Sequence, residues 1–110
     1  MPDAVARSEV RATIVRVALR IAESHPPQVF VDVVSALEDG CTRFARTAVH
    51  REGDHVRIEV FNTRPAAGAG IACTMIYGEH ETTVALGSDF VAGETYVVDV
   101  NGKVQTFVGQ

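Results

Sequence analysis

Apolar and polar residues alternate along most of this chain, the period expected of strands with one buried face. From Gln28 to Ser35, Val29, Val31 and Val33 fall on one side and Phe30, Asp32 and Val34 on the other. From His55 to Asn62, Val56, Ile58 and Val60 face inward while Arg57 and Glu59 face out. Thr13 to Glu23 fits a helical stripe (Ile14, Val17, Ala18, Ile21) as well as an alternating one (Val15, Val17, Leu19, Ile21). Its β-branched content favours a strand, because such side chains lose rotamer freedom on a helix. Further strands are predicted over Cys41 to Arg51, Ile71 to Tyr77, His80 to Leu86, Glu94 to Val100 and Lys103 to Val108. In the Ile71 to Tyr77 strand, Ile71, Cys73, Met75 and Tyr77 share one face.

The breaks between these runs carry turn chemistry. Pro26-Pro27 ends one ladder, since neither residue donates a backbone hydrogen bond. Leu37-Glu38-Asp39-Gly40 and Glu52-Gly53-Asp54 read as turns, and residues 64–70, with Pro65, three alanines and two glycines, as a loose connection. Asn101-Gly102 is a strong hairpin signal. A three-residue loop, Val100 to Gly102, sets Asp99 opposite Lys103, Val98 opposite Val104 and Tyr96 opposite Thr106, so that the apolar sets share a face. In that geometry Gly102 takes positive φ and Asn101 does not, so Gly102 is the more sensitive position.

About eight strands with no helix predict an all-β fold. An immunoglobulin-like antiparallel β-sandwich is preferred and a small antiparallel β-barrel is the alternative. Residues 1–12, with a mixed pattern, are a flexible or loosely packed arm, a short helix or an edge strand, and residues 13–110 form a single domain. The expected core is Val17, Leu19, Val31, Val33, Val56, Ile58, Val60, Met75, Val84, Tyr96 and Val98. Phe30, Phe61 and Phe107 fall on the opposite side, as a partner face or a second packing layer.

Composition narrows the class. With 46% hydrophobic and 22% charged residues the chain is globular, not disordered. A net charge of −4 offers no footprint for nucleic acid. No apolar run reaches membrane-spanning length, and residues 1–12 lack the apolar core of a signal peptide, which predicts a soluble domain with a trimmed or replaced start.

Candidate chemistry is sparse. Cys41 and Cys73 are the only cysteines, each followed by threonine, and they lack the close spacing of a redox pair. A disulfide clasp between two strands is expected, with two buried thiols as the alternative. His50 and His55 flank a hairpin tip and His80 lies between Glu79 and Glu81. Imidazoles near carboxylates chelate metals, but this spacing matches no metal motif and loop tips collect polar residues anyway. Ser35, Ser88 and the aspartates form no nucleophile elbow or paired-carboxylate arrangement, so neither catalysis nor a cofactor is expected.

The segments Leu37-Glu38-Asp39-Gly40-Cys41-Thr42, Arg51-Glu52-Gly53-Asp54, Arg64-Pro65, Cys73-Thr74-Met75 and Gly93 to Gly102 resemble a group of small two-cysteine domains. These occur in predicted secreted or lipid-anchored bacterial proteins, with a Leu-Pro-Asp-Gly-Cys-Thr turn and a Gly-x-Tyr-x-Val-x-Val-Asn-Gly ending. Glu38 stands where that group has proline. The resemblance covers roughly residues 14–108 and implies a β-sandwich outside the cytoplasm, with no activity attached.

The expectation is therefore a non-enzymatic, extracytoplasmic binding or structural module of a bacterial envelope or secreted protein. Its partner would be another protein or an envelope component. The candidate interaction loop is residues 64–70, with Arg64 and Pro65 at its start. The alternative is a protease-inhibitor-like protein presenting loops 36–41 and 64–70.

Overall fold

The computed structural model describes residues 6–110. Eight strands run in order: β1 (Arg7–Arg11), β2 (Ile14–Ala22), β3 (Gln28–Leu37), β4 (Arg43–Glu52), β5 (His55–Pro65), β6 (Gly78–Gly87), β7 (Thr95–Val100) and β8 (Lys103–Val108). Of the arm expected over residues 1–12, residues 1–5 lie outside the described part, and Arg7–Arg11 take the edge-strand alternative.

The strands form a β-sandwich. One sheet is β2-β3-β6, antiparallel, with β3 in the centre. The other is built on β5. β4 pairs with β5 along its length, and the opposite edge of β5 is shared. There β7 runs parallel to His55–Ile58 and β1 antiparallel to Phe61–Pro65, with β8 outside β7. The valine stripes meet between the layers. Val17, Val31, Val33 and Val84 pack against Val56, Ile58, Val60, Tyr96, Val98, Val100 and Phe107. β-branched side chains suit this position because they fill the pleated surface with little rotamer entropy to lose.

The C-terminal hairpin differs from expectation. Val100 pairs with Lys103, so the loop is two residues long, with Asn101 at φ 48° and Gly102 at φ 93°. Both central residues have positive φ, as a type I′ turn requires. The register therefore shifts by one residue, and β8 presents Phe107 to the core opposite Tyr96, while Val104 and Val108 face out. The reason is tertiary. Phe107 joins Phe90 and Tyr96 in an aromatic cluster with ring centroids 4.9–5.3 Å apart. Burying that ring outweighs burying Val104 and Thr106.

Two other core assignments shift. Leu19 is half-buried, and Met75 is 87% exposed because residues 71–77 form no strand. Of the three phenylalanines read as a partner face or a second packing layer, Phe107 is core. Phe30 and Phe61 are half-buried under the guanidinium groups of Arg20 and Arg46, at 4.8 and 4.3 Å from the ring centroids. Those arginines are held in turn by Asp32 and Glu9, so each ring is covered by an ion pair.

Candidate functional site

The molecule is drawn out, 53 Å in its longest dimension, and its radius of gyration of 16.8 Å exceeds the roughly 13 Å of a compact chain this size. One end holds the turns beyond Leu37 and Pro65, and there Asp39 organises the chain. Its Oδ1 accepts hydrogen bonds from the Cys41 and Thr42 amides at 2.9 and 3.0 Å and from the Thr42 hydroxyl at 2.9 Å. The Thr42 hydroxyl, then the Cys41 amide, hold the Asp39 carboxyl below its ordinary pKa, since each bond favours the charged form. The Arg7 guanidinium ties this turn to β5, donating to the Cys41 and Thr63 carbonyls.

Cys41 and Cys73 form a disulfide with Cα atoms 5.4 Å apart. The bond is present, but the expectation that it joins two strands is corrected. Cys41 lies in the turn before β4, and Cys73 lies in residues 71–77, which have no regular structure. Beside the bond, the Gly40 amide donates to the Thr74 carbonyl at 2.9 Å. A Cβ at position 40 would collide with Oγ1 of Thr74, so a larger residue there requires the Thr74 side chain to turn aside.

The loops 36–41 and 64–70 do share this end. Asp39, Arg64, Pro65, Gly70, Ile71 and Cys73 line an open hollow of about 270 Å³ between them. Arg64 is exposed and its charge acts on Asp39, while Pro65 is half-buried at the close of β5. The more prominent feature follows that loop. Ile71, Met75, Ile76 and Tyr77 are exposed by 45, 87, 71 and 55%. Alternation suggested a strand here, and the sign against it was Ala72 and above all Ile76, apolar in the phase that a half-buried strand leaves polar.

His50 and His55 line one hollow at the β4–β5 hairpin, each with its own carboxylate neighbour, and His80 lies apart on β6. His50 Nε2 meets Glu59 at 3.0 Å, His55 Nε2 lies 3.8 Å from Asp54, and His80 stacks on Phe44 with centroids 4.1 Å apart. Among the described residues, one group brings three potential ligand atoms together, Asp39, Cys41 and Cys73. Its two sulfurs are already bonded to each other, and its carboxylate serves the turn.

Residues 31–109 match the family model of the ORF11 beta-sandwich domain. The chain belongs to this family. It is also similar to uncharacterised 10.2 kDa proteins of Herpetosiphon aurantiacus. One, in the HgiCIIM 5′ region, is 33% identical over 85 residues, 77% of this chain and 86% of the relative. Two more, in the HgiBIM and HgiEIM 5′ regions, are each 36% identical over 78 residues, 71% of this chain and 90% of the relative. No solved structure matches. The ORF11 match begins within β3 and takes in both cysteines, the exposed stretch and the C-terminal hairpin.

Proposed function

We propose that this ORF11-family domain is a non-enzymatic, extracytoplasmic binding module of an envelope or secreted protein, and that its contact surface is the disulfide-tied end. One observation carries the reading. Four large apolar side chains stand exposed on a seven-residue irregular stretch that a disulfide fixes in place. An apolar group exposed on a loop costs solubility unless a partner covers it, and rigid scaffolds commonly present their contacts on loops. The disulfide supports an oxidising compartment. No helix among the described residues is long and apolar enough to cross a membrane.

The inhibitor-like alternative draws support from the meeting of loops 36–41 and 64–70 at one end, although the prominent side chains belong to residues 71–77. The test is a comparison of the parent chain with a Met75→Asp/Ile76→Asp variant, each immobilised and exposed to envelope and culture-fluid proteins of a producing bacterium. The expected result is a protein retained by the parent and lost by the variant, with equal unfolding midpoints. Identical retained sets would exclude this surface. Alkylation after rapid acid quenching should find Cys41 and Cys73 oxidised in the envelope or culture fluid; free thiols in a cytosolic pool would overturn the compartment.

A further inference from the structure

We infer that Cys73–Tyr77 is a substrate-like inhibitory strand for a serine endopeptidase that favours large apolar residues, with Met75 entering the enzyme's specificity pocket. This rests on reading the disulfide-tied end as the contact surface, and it names the partner class.

Endopeptidases take their substrates as extended strands, whose main chain adds to an edge of the enzyme while alternate side chains fill pockets. Residues 71–77 have that form, running with no turn, bend or positive φ. Among the described residues, none of their N–H groups donates to a backbone carbonyl. The phase of the strand is set from one side. Thr74 gives its carbonyl to Gly40. In an extended chain successive residues point their polar groups to opposite sides, so those of Cys73 and Met75 face away from the domain. Met75, the second of these two, is the most exposed large apolar residue of the described chain.

Exposure alone makes a substrate, and restraint makes an inhibitor, because a strand already in its bound form loses little entropy on docking. Restraint acts on both sides of the Met75–Ile76 bond. On the amino side stand the Cys41–Cys73 disulfide and the Gly40–Thr74 hydrogen bond. On the carboxyl side Gly78 enters the ladder opposite Leu37. Hydrolysis there would add one water across the amide, leaving a carboxylate on Met75 and an ammonium on Ile76. The two pieces would still share both sheets, through β3 with β6 and β5 with β7. The new ends therefore stay together, which favours resealing and slow release over digestion. No charged residue lies within 71–77, and a methionine at the key position suits an apolar pocket, not an acidic one.

The experiment titrates the oxidised full chain against subtilisin and chymotrypsin, which have apolar specificity pockets, and against trypsin, whose pocket is acidic. The expected result is near-stoichiometric loss of subtilisin or chymotrypsin activity with trypsin unaffected. Met75→Lys should weaken that inhibition by on the order of 100-fold and confer inhibition of trypsin. Met75→Asp should weaken it similarly without moving the unfolding midpoint. Slow cleavage confined to Met75–Ile76, with the fragments co-migrating under native conditions, also supports the proposal. Inhibition indifferent to both substitutions overturns it, as does rapid digestion with fragment release. Absent inhibition overturns it too. If retention of an envelope or culture-fluid protein still depends on Met75 and Ile76, the binding surface stands without the protease. If that retention is also absent, the surface reading falls with it.

Discussion

Asn101 does more than turn the chain. Its Oδ1 accepts from the Val60 amide at 3.0 Å, and its Nδ2 donates to the Ala12 and Val60 carbonyls at 2.8 and 2.9 Å. Val60 sits where the neighbour of β5 changes from β7 to β1, so one side chain completes the ladder across that gap. Asn101→Gly keeps the positive φ and removes these bonds together with a longer one from the Arg11 guanidinium, and should lower stability by about 1–3 kcal/mol. Asn101→Ala adds strain at positive φ, for a further loss of about 1 kcal/mol. Denaturant unfolding measures both, and a neutral Asn101→Gly would show that the ladder closes without the side chain. Asp39 is the second such residue. Its pKa is depressed in the fold, so its contribution is present above the ordinary aspartate value and is lost as pH falls through the lower folded value. The unfolding midpoint of the parent should therefore fall more steeply below about pH 4 than that of Asp39→Asn. Parallel profiles would remove Asp39 from the acid response.

At the scale of elements, the disulfide belongs to the loops, with neither cysteine in a strand. It closes 32 residues of chain, for which the chain-entropy account gives about 3–4 kcal/mol. A Cys41→Ser/Cys73→Ser variant should lose that much stability and still form both sheets. Hydrogen exchange separates the local effect from the global one. The Gly40 amide, bonded to Thr74, should lose its protection altogether, while the Ile58 amide, which exchanges through global unfolding, should fall only by about that 3–4 kcal/mol and stay protected. Loss of all protection at both would mean that the sandwich does not form without the bond.

The whole molecule depends on one layer of contact between the sheets. Ile58 is fully buried there, whereas Leu19 lies near the margin. Ile58→Ala should cost about 2–5 kcal/mol, and Leu19→Ala roughly half as much, by denaturant titration. Equal losses would move the centre of the core toward β2. The two ends of the sandwich differ in kind. Near the start of β5, Phe90, Tyr96 and Phe107 pack together beneath Arg51, whose guanidinium lies 4.4 Å from the Phe90 ring. At the far end of β5 the exposed apolar side chains of residues 71–77 have no such cover.

The all-β class, the bounds of β2 to β8 within a few residues and the stripes of Val31, Val33, Val56, Ile58 and Val60 were legible in the sequence. Alternation is a local property, written into neighbouring residues. The pairing of the only two cysteines was legible for a related reason, since no other partner exists in the chain. The hairpin register was not. Either loop length puts apolar residues of β8 on the inner face, Val104 in one and Phe107 in the other. The choice lay with Phe90 and with the gap beside Val60, both distant in sequence. The candidate site was half legible. Loops 36–41 and 64–70 were paired only in the inhibitor-like alternative, and Ile71 to Tyr77 was read as a strand with Met75 in the core. Alternation marks a face as fit for burial; whether a second layer lies across it is decided by the packing of the whole chain, and across Met75 none does.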